Sequence, residues 1–142
     1  MIMVDVNVLV YAFRVDMKQH EITRSWFEKK LNGFEPVGIS ELVLSGFMRL
    51  VTNSRVFQEP TSPEDALAYC DAIRSAPATI SVRPGVRHWD IFAQLCRSVR
   101  ARGNLIPDAF HAALAIETGA TWISSDRDFA KFPDLRWELP ES

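Results

Sequence analysis

Strand-like and helix-like segments alternate along almost the whole chain, which predicts an α/β fold with a mostly parallel central sheet flanked by helices. Two further observations point the same way. Acidic residues stand at or just beyond the carboxyl ends of the predicted strands, where open α/β sheets form their working crevice. The 142 residues, 47% of them hydrophobic, suit one core and one domain spanning residues 1–142.

The elements follow in order. Residues 2–5 (Ile-Met-Val-Asp) form a short apolar run ending in an acid, the pattern of a buried strand. The chain stays apolar from Val6 to Phe13 and turns polar from Arg14 to Gln19. From His20 to Leu31 the apolar residues follow helical spacing, and Asn32-Gly33 supplies a stop. Val37 to Ile39 reads as a second strand. Ser40 offers a helix N-cap, and the helix it opens runs over Leu42–Thr52. Ser62-Pro63-Glu64-Asp65 is a helix start, with proline just inside and acids in the first turn, and that helix reaches about Ala76.

Thr79 to Val82 is β-branched and alternating, a third strand. Arg87 to Arg102 is an amphipathic helix, with Trp89, Phe92, Leu95, Cys96 and Val99 on one side and Gly103 at its end. Pro107 opens a helix from Asp108 to about Thr118, closed by Gly119. Thr121 to Ser124 is a fourth strand, and Arg136 to Leu139 supplies an edge strand.

Composition narrows the function classes. A net charge of −2 argues against binding nucleic acid through bulk positive charge. It leaves room for a nuclease whose acids are gathered in one site and neutralised by cations. Cys70 and Cys96 lie far apart in helical patterns and read as reduced, apolar side chains. Three scattered histidines make no zinc motif. Apolar runs are broken by charges well before bilayer-spanning length. The N-terminus lacks a basic region followed by an apolar one, so a cytoplasmic protein is expected.

The placement of the acids carries the chemistry. Asp5 closes the first strand, Glu41 opens the helix after the second, and Asp126 follows the fourth. Asp108 sits in the first turn of a helix whose end can face the same sheet edge. Each acid alone has a local explanation as a cap or a helix-dipole partner. Several carboxylates held together must instead be protonated or neutralised. Oxygen ligands without His or Cys suit hard ions such as Mg²⁺ and Mn²⁺. Such ions bind phosphate oxygens and acidify bound water, which points to phosphodiester hydrolysis.

Four segments occur in a telling order: Asp5-Val-Asn-Val-Leu-Val-Tyr-Ala, Glu41-Leu-Val-Leu-Ser-Gly-Phe-Met-Arg, Pro107-Asp108-Ala and Ser124-Ser-Asp-Arg-Asp-Phe129. Together they resemble the PIN-domain family, in particular the VapC toxins of bacterial toxin–antitoxin pairs. The resemblance covers almost the whole chain. It implies a parallel sheet flanked by helices, dependence on Mg²⁺ or Mn²⁺, and endonucleolytic cleavage of RNA. It further implies a homodimer, and inhibition by a cognate VapB-like antitoxin whose tail fills the acidic groove. By position, the resemblance makes Asp5, Glu41, Asp108 and Asp126 the acidic set. Asp5 and Asp108 would contact the main ion, while Glu41 and Asp126 would hold it through water or position the attacking water.

This chain has Val6 where the family often has Thr, and Asn7 keeps a polar group nearby. Asp126 is preferred to Asp128 because it stands nearer the strand end, with Asp128 bracing the loop. Ser124 and Ser125 offer hydroxyls either to a metal-bound water or to the loop itself. His111 lies one turn after Asp108 and is expected to pack or face solvent rather than act as a base. The four tryptophans are expected mainly in the core, and Arg14, Arg49, Arg55 and Arg127 on the solvated surface.

A non-catalytic module of the same fold, binding RNA or protein, is the main alternative; the complete acidic set speaks against it. Aspartate-based phosphatases and phospho-receivers also place an acid after the first strand. The former need a second acid at position 7, which is Asn7, and the latter an acidic pair where Asp5 stands alone.

Overall fold

The computed structural model describes residues 1–140. Among them five strands form one parallel sheet, β1 (Ile2–Val4), β2 (Val37–Ser40), β3 (Thr79–Val82), β4 (Thr121–Ile123) and β5 (Trp137–Glu138), in the order β3-β2-β1-β4-β5. Every pairing is parallel, with Ile2 opposite both Val37 and Thr121, and Val4 opposite Ile123. The helices are α1 (Val6–Phe13), α2 (His20–Leu31), α3 (Glu41–Val51), α4 (Pro63–Arg74), α5 (His88–Val99) and α6 (Leu105–Thr118).

Strand order and handedness place the helices. The chain steps from β1 to β2 to β3 in one direction, and right-handed crossovers put α1–α4 on one face. It then returns past β1 to β4, which puts α5 and α6 on the other face. The main helix contacts agree: α1 packs on α2 and α3, α3 on α4, and α5 on α6. The order reverses between β1 and β4. That is the point where a doubly wound sheet opens a crevice at its carboxyl edge.

Coverage of both faces explains the composition of the central strands. Ile2, Met3 and Val4 are all buried, as are Trp122 and Ile123 of β4. Phe47 of α3 is fully buried and meets Phe13 edge-on at 5.4 Å, with Tyr69 of α4 at 5.3 Å. Each such large side chain contributes roughly 1.5–3 kcal/mol of burial energy. Arg14, at the end of α1, is not a solvated side chain. It bonds Asp16 (2.6 Å), the Glu59 carbonyl (2.8 Å) and Thr61 Oγ1 (3.1 Å), and lies 4.0 Å over the Phe57 ring. It thereby clamps the α3–α4 connection onto α1.

The structure revises several boundaries. The first strand ends at Val4, and Asp5 becomes the N-cap of a helix over Val6–Phe13. Because Val8, Leu9, Val10 and Ala12 are all buried, that helix lacks the polar face by which helical periodicity is recognised. The third helix begins at Glu41, with Ser40 Oγ accepting from the Val43 amide. The fourth stops at Arg74, and the fifth at Val99. The fifth is closed by Arg100 in the left-handed region (φ 52°) rather than by Gly103.

Helix α6 starts at Leu105, two residues ahead of Pro107. Proline is tolerated there because the first four amides of a helix have no intrahelical acceptor. Gly119 does close it, at φ 71°. The fourth and fifth strands are each shorter than the sequence suggests. Trp89 does not pack into the core; its side chain stands out from α5, 67% exposed.

Both cysteines are free thiols, with Cys70 buried. No helix among the described residues is long and apolar enough to cross a membrane.

Candidate active site

Asp5 leaves β1 still on the ladder, its amide donating to the Ile123 carbonyl (2.9 Å). The adjacent strand β4 ends level with β1, Ile123 standing opposite Val4, and the loop Ser124–Asp126 leaves it at the same edge. The chain folds locally in this way because both strand ends pass into capped turns. Asp5 Oδ1 accepts from the Val6 amide (2.7 Å) and opens α1. Asp126 Oδ1 accepts from the Asp128 amide (2.9 Å) and opens a 3₁₀ turn over Arg127–Lys131.

A hydrogen-bonded seam joins the two strand ends. Ser124, fully buried, donates its hydroxyl to Asp5 Oδ2 (2.6 Å) and accepts from the Asp126 amide (3.0 Å). Asn7 donates to Asp5 Oδ2 (3.3 Å) and Ser124 Oγ (3.1 Å), and accepts from the Ser125 amide (3.2 Å). From β5, Trp137 donates its indole N–H to the Ser124 carbonyl (3.1 Å). The Ser124 hydroxyl thus links Asp5 to the loop, and Ser125 contributes its backbone amide.

Asp108 joins this centre from α6. Burial first, and then the charges of Asp5, Asp126 and Asp128 in that order, push its carboxyl up to about 6. Burial likewise pushes Asp5 above its ordinary range, opposed by the Ser124 and Val6 hydrogen bonds and reinforced by Asp126. Three of the four acids singled out from sequence therefore feel one another across the crevice.

Glu41 stands apart. It sits at the end of β2, exposed, with its carboxylate 3.5 Å from Arg83, and the charges acting on Asp108 do not include it. Asp128 pairs with Lys131 (3.6 Å) while still contributing to the field at Asp108.

Substituting Asp108 tests this field directly. A raised carboxyl means that the folded state resists a charge the unfolded chain accepts, so stability falls as pH rises from about 3.8 to about 6. Asp108→Asn is expected to stabilise the fold at pH 7.5 by on the order of 1 kcal/mol, after discounting for solvent screening. The gain should vanish below pH 4, read from urea unfolding at both pH values.

The donor set is oxygen alone, in a partly desolvated crevice with excess negative charge, which suits a hard divalent cation. Among the described residues no three acids, histidines or cysteines are gathered tightly enough to hold an ion between them. The carboxylates are close enough to repel, yet not drawn round one centre.

His111, one turn beyond Asp108, faces the core. It is buried and stacks on Trp122 at 5.2 Å and 19°, and its Nδ1 has no partner. Burial lowers its pKa to about 4, so it is neutral and packed. His88 is also buried, with Nε2 3.0 Å from the Phe110 carbonyl.

Sequence reasoning missed the Asn7–Ser124 contact and the Trp137 brace. The first joins residues 117 positions apart, and no local signal marks it.

Comparison with known proteins supplies an independent line. A family model described as the PIN domain matches residues 2–135. The chain is 54% identical over 140 residues to Ribonuclease VapC43 of Mycobacterium tuberculosis, covering 99% of this chain and 95% of that protein. It is 40% identical over 140 residues to Ribonuclease VapC25 of the same organism, covering 99% of each.

Solved structures share the fold at low identity. VapBC2 from Rickettsia felis, bound to a promoter DNA fragment, matches with TM-score 0.69 and 20% identity, covering 99% of this chain and 100% of that one. VapC20 of Mycobacterium tuberculosis, described as a sarcin–ricin loop cleaving toxin, matches with TM-score 0.68 and 18% identity, covering 96% and 99%.

Proposed function

This chain belongs to the PIN-domain family, and from that premise we propose that it is a metal-dependent endoribonuclease, the toxin of a VapBC-type pair. The observation that carries the reading is the crowding of Asp5, Asp108 and Asp126 at the sheet's switch point, with Asp108 held up at about 6. Carboxylates that raise one another lower the stability of the apo fold and gain most from a cation. Relatives named as ribonucleases over nearly the full length support RNA as the substrate.

Mg²⁺ or Mn²⁺, when bound, would supply a Lewis acid for the phosphate and an acidified water as nucleophile. Asp5 and Asp108 are the residues proposed to contact it directly. Mg²⁺ characteristically keeps several waters and takes only one or two protein carboxylates, which accords with the loose spacing of these acids. Asp126 would hold the ion through water or orient the attacking water. Glu41, at the rim, would share that role once its pairing with Arg83 gives way. The partners proposed are an RNA substrate, a VapB-like antitoxin whose tail fills the acidic groove, and a second copy of the chain. Activity is placed in the cytoplasm, with no membrane partner.

The test is cleavage of a mixed RNA pool by the metal-stripped protein. Addition of Mg²⁺ or Mn²⁺ should restore cutting, and EDTA should stop it. Equal cutting in EDTA would refute the metal dependence. A folded protein that neither cuts nor binds Mn²⁺ would favour the alternative, a PIN-fold module that binds RNA or protein without catalysis.

A further inference from the structure

Resting on the site proposed above, we infer that Asn7 is a positioning residue: its side-chain amide ties Asp5 to the Ser124–Asp126 loop and leaves Asp5 one oxygen, Oδ1, with which to hold the cation. The hydrogen-bond inventory leads there. An ionised carboxylate offers about four lone-pair positions, two on each oxygen. On Asp5, Oδ2 accepts from the Ser124 hydroxyl (2.6 Å) and from Asn7 Nδ2 (3.3 Å), which fills it. Oδ1 accepts only the Val6 amide (2.7 Å), so the remaining position is there.

The Ser124 hydroxyl is equally committed. It has one proton and two acceptor positions, used by Asp5, the Asp126 amide and Asn7. A hydroxyl alone rotates freely, and here the second Asn7 bond selects its orientation towards Asp5. Asn7 also accepts from the Ser125 amide through its own carbonyl. One side chain in the first turn of α1 thus touches the Asp5 carboxylate, the Ser124 hydroxyl and the backbone leading to Asp126. It sets the spacing of two carboxylates that come from different strands.

The same arrangement gives Val6 a rationale. The residue after Asp5 contributes its backbone amide, not its side chain, to the carboxylate. Its side chain packs against α3, where a Cβ on Gly46 would stand 2.8 Å from Val6 Cγ2. Polar support of the site therefore falls to position 7, one residue further along.

Metal affinity separates positioning from simple structural support. Mn²⁺ binding to wild type, Asn7→Ala and Asn7→Ser would be measured by electron paramagnetic resonance, alongside the thermal midpoint of each metal-free protein. Loss of a group that orients a ligand typically weakens binding 10–100-fold. That weakening is expected in both variants, with midpoints close to wild type and with kcat recovering as Mn²⁺ is raised. A folded variant that binds Mn²⁺ within about twofold of wild type would overturn the inference. So would failure of both variants to fold, which would make Asn7 a structural staple. If wild type itself binds no Mn²⁺, the proposed metal site fails, and this inference falls with it.

Discussion

Replacing Asp108 by Asn is expected to cut metal-dependent RNA cleavage by on the order of a thousandfold while leaving the protein folded and slightly more stable. The two effects have one origin. Burial and the charges of Asp5, Asp126 and Asp128 make the ionised form of Asp108 costly. A divalent ion at the proposed site would relieve that repulsion, so the strain of the metal-free protein would become affinity for the cation. Asparagine keeps the shape and removes both the strain and the attraction.

Asp5→Asn should lose cleavage to a similar degree, since Asp5 is raised by burial and by Asp126 in the same crevice. It should give little or no gain in stability. Its carboxylate already accepts three hydrogen bonds, and an amide turned the wrong way would set a donor against one of them. Initial rates under saturating Mn²⁺, with circular dichroism to confirm folding, decide the matter. Retention of wild-type rates in both variants would remove these acids from the reaction.

His111 governs the second large effect. In the folded protein it resists protonation down to about pH 4, whereas the unfolded chain takes up the proton near 6.5. Its lowered value means that stability is intact above pH 6.5 and is lost as pH falls towards 4. At pH 4.5 the loss attributable to this residue is roughly 2–3 kcal/mol. His111→Phe keeps a ring stacked on Trp122 and removes the proton acceptor. Urea unfolding at pH 7.5 and pH 4.5 should therefore show the variant losing less stability on acidification than wild type. Asp108 works in the opposite sense over the same range, but it is present in both proteins and cancels in the comparison. Equal acid sensitivity of the two proteins would show that His111 is protonated in the fold.

The alternation of strand and helix, the order of the elements and the acids after the strands are all visible in the sequence. These features are encoded locally. Ser40, Ser62 and Gly119 each act on amides or carbonyls a few residues away, and a residue string displays such signals. Helix α1 escaped notice because its buried residues show no polar face.

Other features depend on which strands become neighbours. That β1 lies between β2 and β4, so that Asp5 and Asp126 share the switch point, follows from pairing residues more than a hundred positions apart. The pairing of Glu41 with Arg83, the seam through Asn7 and Ser124, and the outward turn of Trp89 follow from the same packing. The sequence by itself determined the elements other than α1 and the carboxylate chemistry, because propensity, capping and ligand type reside in single residues and their near neighbours. Only the tertiary structure decided which carboxylates meet and what holds them, because burial and mutual repulsion exist only once distant strands stand side by side.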